Sequence, residues 1–197
     1  YLQTVEGELP LEIFGRHNLS NLMGAKWICQ QMGVDEDDFF QAISCFKGAS
    51  NRLEKLYSTN NSFIFKDFAH SPSKVKATVN AIKDQFDEYK IIACFELHTF
   101  SSLNSDFINE YKDTLSNADI PIVYFSKKTL ESKKMDNIEF NDIIKAFNNN
   151  DLIVFDDSSK FKDYLSSMNF NKSVLLMMSS GNFGNIDYND LKKLLLN

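Results

Sequence analysis

From Arg52 onward the chain alternates short β-branched or aromatic runs with stretches of helical periodicity, a pattern that few folds accommodate. Ser62–Lys66, Ile91–Phe95, Ile122–Phe125, Leu152–Phe155 and Val174–Met178 read as strands, each bounded by polar residues. After the first, Ser71 is placed to cap a helix with Pro72 at its first position and Val75, Val79, Ile82 and Phe86 along its apolar face. Leu103, Phe107, Tyr111 and Leu115 predict the next helix, and Asn141–Phe147 a less regular one. Phe161, Leu165 and Met168 follow behind Ser158, and Leu191, Leu194 and Leu195 after Asp187. Strands separated by helices need crossover connections, which are right-handed. The expected class is therefore α/β, a doubly wound, mostly parallel sheet of about five or six strands.

The first 48 residues follow another pattern. Leu9–Phe14 is a strand-like run leading into Gly15. Leu19, Leu22, Met23, Trp27, Ile28 and Met32 then recur at helical spacing until Gly33. A second helix is expected from Asp35, a good N-cap with Asp37 and Asp38 in the first turn, and Phe39, Ala42, Ile43 and Phe46 form its buried stripe. Little before these helices could cover them. Residues 1–48 therefore read as the mostly helical tail of a preceding domain, and 49–197 as a domain of their own.

Several function classes are excluded by charge and hydropathy. The net charge is −6, and Lys127-Lys128 and Lys133-Lys134 sit among Ser and Glu as a solvated loop, so a nucleic-acid partner is not expected. Apolar runs such as Val174–Met178 are far too short to span a bilayer, and Tyr1–Thr4 has no signal-like character, so no membrane partner is expected either. Cys29, Cys45 and Cys94 have neither metal nor disulfide spacing and read as buried free thiols in a reducing cytoplasm. No metal ligands are assigned. The 18 Phe include Phe63, Phe65, Phe95, Phe125 and Phe155 in the strand-like runs, where they read as core.

In doubly wound sheets ligands gather beyond the carboxyl ends of the strands. Three polar segments fall there: Asp67–Ser71, Glu96–Ser102 and Ser179–Asn185. Asp67 at a strand end can accept two ribose hydroxyls, Phe68 offers a flat surface for a base, and the helix behind Ser71-Pro72 favours an anion. The same Asp could simply order the turn, and His70 could bond only locally. Asn18 and Asn21 follow Gly15-Arg16-His17, and carboxamides can pair with both edges of adenine, though Asn18 could be only the N-cap of its helix. Arg52 can grip phosphate or stack on a base, or pair with Glu54. Glu96-Leu97-His98-Thr99-Phe100-Ser101-Ser102 is rich in hydrogen-bonding groups, but Ser101 lies in no G-x-S-x-G elbow, which argues against a Ser-His nucleophile. The glycines of Ser179-Ser180-Gly181-Asn182-Phe183-Gly184 could present N–H groups to a carboxylate, or serve only a tight turn.

Taken together and in order, these motifs resemble the Mur ligases, ATP-dependent enzymes of peptidoglycan synthesis, from about Leu11 to Gly184. The resemblance implies that residues 1–48 end the central ATPase domain and that 49–197 form the family's Rossmann-like C-terminal domain. It implies that His17, Asn18, Asn21, Arg52, Asp67, Phe68 and His70 serve ATP, and that His98, Ser101, Ser102 and Asn182 serve an incoming peptide. Phe46-Lys47-Gly48 with Arg52-Leu53-Glu54, Asp67-Phe68-Ala69-His70 and Met178–Gly184 resemble the branch that recycles murein peptides. That branch joins L-alanyl-γ-D-glutamyl-meso-diaminopimelate to UDP-N-acetylmuramate.

The implied reaction phosphorylates the sugar's carboxylate with ATP, because a free carboxylate is a poor electrophile, and Mg²⁺ neutralises phosphate charge. No G-x-x-x-x-G-K-[ST] occurs in the sequence, so neither the phosphate cradle nor a catalytic residue is expected here. The chain is expected to be part of a longer ligase and inactive alone, with most Mg²⁺ ligands in the missing central domain. The alternatives are a portion of an L-alanine-adding ligase, or an α/β binding module without chemistry.

Overall fold

The structure, a computed structural model, describes residues 1–4 and 7–195. Its centre is a six-stranded sheet built from β3 (Glu54–Ser58), β4 (Ser62–Asp67), β5 (Lys90–Leu97), β6 (Ile120–Phe125), β7 (Ile153–Phe155) and β8 (Ser173–Met178). The spatial order is β3-β4-β8-β5-β6-β7. Only β3 is antiparallel to its neighbour, so the sheet is mostly parallel, as the alternating pattern implied. Every residue of β8 is buried, because a central parallel strand is covered on both faces.

Side-chain alternation divides the core in two. Phe65, Ile91, Ala93, Phe95, Val123, Val174 and Leu176 face one side, where α3 (Pro72–Gln85) and α5 (Phe140–Phe147) pack. Ile64, Ile92, Cys94, Ile122, Leu175 and Met177 face the other, under α6 (Ser158–Ser167) and α7 (Tyr188–Leu194). On that second face the rings of Phe155, Tyr124 and Phe183 each lie within 6 Å of the Phe161 centroid, at 5.6 Å.

Ahead of the sheet, β1 (Leu2–Thr4) pairs antiparallel with β2 (Gly7–Leu9). The strand expected over Leu9–Phe14 stops at Leu9, since Pro10 has no N–H to offer a partner. Residues 11–14 run irregularly, and the Phe14 ring packs edge-on against Phe65 and Phe86. Then come α1 (Arg16–Gln31) and α2 (Glu36–Ser44), the latter capped by Asp35 accepting the Asp38 N–H at 2.9 Å. The apolar faces of these helices are mostly bare. Only Leu22 on α1 and Phe39 on α2 are buried, whereas Met23, Trp27, Ile28, Met32 and Phe46 are exposed. The expected buried stripe through Ala42, Ile43 and Phe46 is therefore absent.

Other expectations are also corrected. The helix expected over residues 103–115 is a series of turns with a single 3-10 turn at Ile108–Tyr111. The Asn104 carboxamide captures the Asp106 and Phe107 N–H groups, offering the backbone a local alternative to the helix. Leu103, Tyr111 and Leu115 are nonetheless buried. Lys127 and Lys128 do not lie in a loop but open the short helix α4 (Lys127–Ser132), capped by Ser126. Of the cysteines only Cys94 is buried; Cys45, closing the uncovered α2, is exposed. No helix among the described residues is long and apolar enough to cross a membrane.

Removing the Phe161 ring leaves a cavity that its three aromatic neighbours cannot close. Phe161→Ala is expected to cost about 3–5 kcal/mol, read as a fall in the urea midpoint. Phe100→Ala, at an exposed position, is expected to stay within about 0.5 kcal/mol.

Candidate functional site

A cavity of about 670 Å³ opens between α1, the segment Gly48–Arg52 and the first turns of α3, at the carboxyl end of β4. Its walls include His17, Asn18 and Asn21 from α1, Arg52 from the segment before β3, and Asp67 from the end of β4. Five of the seven residues assigned to ATP from the sequence thus share one hollow. Its size lies within the range of small-molecule sites.

Asp67 is only 4% exposed, and its oxygens are already engaged. Oδ2 accepts the Leu53 N–H at 2.7 Å, while Oδ1 accepts the Ala69 N–H at 2.6 Å and faces the Thr78 hydroxyl at 3.4 Å. The turn-ordering role that the sequence left open is therefore present. A carboxylate has about four acceptor positions, so capacity remains for a hydroxyl.

The close approach of α1 to α3 sets the depth of the cavity. Gly15 precedes α1 at φ +88°, and a Cβ there would stand 2.7 Å from the Ala81 Cβ. Gly15, rather than Asn18, is the N-cap; Asn18 lies inside the helix and donates its Nδ2 to the Phe14 carbonyl at 2.9 Å. Asn21, one turn further on, is exposed and has no hydrogen-bond partner among the described residues. It is the freer of the two carboxamides.

The cavity has two cations without a carboxylate partner among the described residues. Arg52 makes no ion pair with Glu54, whose carboxylate instead takes the Asn51 N–H at 2.8 Å. Its guanidinium lies over the Phe68 ring at 5.3 Å. Phe68 and His70 do not line the cavity. The His70 Nδ1 is 2.9 Å from the Phe68 carbonyl oxygen, the local bond that the sequence allowed. Lys74, on the first turn of α3, does line the cavity, as do Ser73 and Thr78. Sequence reasoning missed these three; the available sign was their place at the start of a helix on the ligand edge of the sheet.

The residues assigned to an incoming peptide lie beyond β5 and β8. His98 stands beside Gly181, where a Cβ would come within 2.7 Å of the His98 Nδ1. Ser101 is exposed, with its hydroxyl 3.1 Å from that of Thr99. Ser102 is 1% exposed and its hydroxyl is taken up by Thr99, so it orders the turn. Asn182 is exposed and donates to the Asn185 side chain at 2.7 Å.

With this geometry in view, comparison with known proteins identifies the relatives. No protein-family model matches the chain. The UDP-N-acetylmuramate–L-alanine ligase of Caldicellulosiruptor bescii is 39% identical over 115 residues, covering 58% of this chain and 25% of the relative. That of Agathobacter rectalis is 27% identical over 190 residues, covering 94% of this chain and 40% of the relative. The chain is similar to the C-terminal portion of Mur ligases. It spans less than half the length of these relatives.

The fold agrees. The crystal structure of UDP-N-acetylmuramate–alanine ligase from Thermotoga maritima superposes with a TM-score of 0.69 at 18% identity, over 88% of this chain and 36% of that one. A murein peptide ligase from Psychrobacter arcticus gives 0.64 at 22% identity, over 93% and 38%. A MurF ligase from Thermotoga maritima in complex with ADP gives 0.62 at 15% identity, over 91% and 38%. At these identities the likeness establishes the fold.

Burial holds the His17 pKa below its ordinary value of 6.5, while the charge of Asp67 pulls the other way. The folded state then binds this proton less tightly than the unfolded chain. Stability falls as pH drops through 6.5, and the loss is complete below the folded-state pKa. Urea melts across about pH 7 to about pH 5 are expected to show a shallower decline for His17→Gln than for the wild type. Equal slopes would remove His17 as the cause.

Proposed function

We propose that this chain supplies the nucleoside pocket and the amine-acceptor loops of an ATP-dependent ligase acting on UDP-N-acetylmuramate. The observation that carries this reading is the convergence of His17, Asn18, Asn21, Arg52 and Asp67 on one cavity. Asn21 offers a free carboxamide for the adenine edge. Asp67 offers its remaining acceptor capacity to a ribose hydroxyl. Arg52 and Lys74 offer unpaired positive charge for phosphate. Residues 1–48 are assigned to the end of the central ATPase domain and 49–197 to the C-terminal domain.

In the reaction, a carboxylate oxygen of the sugar attacks the γ-phosphorus of ATP and ADP leaves. The acceptor amine then attacks the acyl carbon of the resulting acyl phosphate, loses a proton and expels phosphate. This chain contributes positioning. It fixes the nucleoside against α1 and α3 and presents the loops after β5 and β8 to the amine. Among the described residues no group of three or more His, Cys, Asp or Glu could hold a metal ion. Most ligands of the Mg²⁺ that accompanies ATP are assigned to the central domain.

Two acceptors are each favoured by a specific observation. The murein tripeptide rests on Asp67-Phe68-Ala69-His70 and the Met178–Gly184 loop, which resemble the recycling branch. L-Alanine rests on the two curated relatives, both L-alanine ligases, one of them 39% identical over 115 residues. The full-length enzyme, offered both acceptors with UDP-N-acetylmuramate and ATP, decides by the ratio of kcat/KM values.

Asn21→Ala in that enzyme is expected to raise the KM for ATP about tenfold, as for the loss of a buried hydrogen-bond partner. The exposed, unpartnered side chain makes a stability change beyond about 0.5 kcal/mol unexpected. An unchanged ATP KM would remove Asn21 from the pocket.

A further inference from the structure

Glu96 is the second buried carboxylate at the carboxyl edge of the sheet, and the nucleoside site does not use it. It is 2% exposed and sits at the end of β5, opposite the start of the loop that follows β8. Alternation puts it with Ile92 and Cys94 on the α6–α7 face, away from Asp67. Its Oε2 accepts the Ser179 hydroxyl and the Phe183 N–H, the latter at 2.9 Å. The Ser179 oxygen in turn accepts the Gly181 N–H at 2.6 Å. On its other side Oε1 lies 3.6 Å from the His98 Nδ1. One carboxylate thus meets three parts of the acceptor region: His98, the entry of the β8 loop and a point further along it.

The loop so held is strained. Phe183, Gly184 and Asn185 all have positive φ, at 51°, 66° and 69°. A bulky residue such as Phe takes this conformation only when its surroundings over-determine it. Here the ring is wholly buried beside Phe161 and Tyr124, and the N–H is fixed by Glu96. Asn182 is left exposed at the apex. Packing is equally tight at Gly181, where a Cβ would be 2.8 Å from the Glu96 Oε2 and 2.7 Å from the His98 Nδ1. The same charge reaches Tyr188, whose phenol is pushed up to about 12 by burial and then by Glu96.

We propose that Glu96 is a positioning residue for the amine acceptor: its buried carboxylate fastens the strained loop after β8 to the loop after β5, and so sets His98 and Asn182 at a fixed separation. The role in substrate binding rests on the ligase reading above; the fastening of the two loops does not. Glu96 makes no contact with reacting atoms in this assignment. Its Oε2 is taken by a backbone and a hydroxyl donor, and its effect passes through the groups that it holds.

The test uses the full-length ligase with Glu96→Gln, Ser179→Ala and Gly181→Ala. The amide of Glu96→Gln keeps the shape but removes the charge and presents one N–H₂ among donors. It is expected to raise the KM for the acceptor about tenfold, as for loss of a charge-assisted hydrogen bond, with the KM values for ATP and UDP-N-acetylmuramate within about twofold. Ser179→Ala, which removes a single donor, is expected to shift the acceptor KM the same way but less. Gly181→Ala is expected to act like Glu96→Gln, because it displaces the same groups.

Hydrogen–deuterium exchange by mass spectrometry on the same proteins supplies a readout independent of activity. Residues 179–185 should lose protection in Glu96→Gln, while the segment around Asp67 keeps it. Unchanged exchange at 179–185 in folded Glu96→Gln overturns the fastening. Faster exchange there with an unchanged acceptor KM overturns the positioning role. Should Glu96→Gln fail to fold, Ser179→Ala and Gly181→Ala decide by the same two measurements. A wild-type enzyme without ATP-dependent ligation would sink the ligase reading alone and leave the exchange result to judge the fastening.

Discussion

The cavity at the end of β4 depends on a single buried carboxylate. Asp67 gathers the Leu53 N–H, the Ala69 N–H and the Thr78 hydroxyl, joining the entry to β3, the exit of β4 and the flank of α3. Without it two backbone N–H groups would be buried without partners, which is more costly than the loss of any one bond. Arg52 precedes Leu53 by one residue, so the bond that holds Leu53 also holds the guanidinium at the cavity wall. The carbonyl of Asp67 accepts the Ser179 N–H at 3.0 Å and carries the constraint across to β8. A side chain selected for ligand binding and one selected for folding would look alike at this position, and Asp67 serves the second role visibly.

The pleat of the sheet then separates the two tasks. Asp67 projects with Phe65 towards α3, and Glu96 projects with Cys94 towards α6 and α7. The pocket proposed for the nucleoside and the carboxylate proposed to support the acceptor loops therefore stand on opposite faces, with β8 between β4 and β5 as their common wall. Because β8 is buried along its whole length, neither site can shift without disturbing the core. The variable parts are the loops, whose positions are set by hydrogen bonds to those two acids.

The strands of the sheet were legible because buried parallel strands are short apolar runs. β3 was not, since its Glu54, Lys55 and Ser58 suit an edge and carry no apolar signature. The turns over 103–115 were misread because the helical spacing of Leu103, Tyr111 and Leu115 reports burial, whereas Asn104 decides the backbone. The cavity residues were visible in part. Polar side chains at element boundaries point to His17, Asn21, Arg52 and Asp67, but burial and partners are tertiary facts, so the sequence does not show that the Ser102 hydroxyl is buried against Thr99. Lys74 escaped notice because a lysine between Ser73 and Val75 looks like an ordinary solvated position. Glu96 stands out in the sequence only as the start of a polar segment, because its partners lie 83 residues away at Ser179 and 87 at Phe183.

The bare face of α1 has one further consequence. Trp27, the single tryptophan of the chain, is 70% exposed among Met23, Ile28 and Met32. All indole emission from this polypeptide therefore originates from one solvent-facing helical surface. The chain carries its own optical probe of whatever approaches that surface: wet and readily quenched while the surface is open, shifted to the blue and shielded once it is covered.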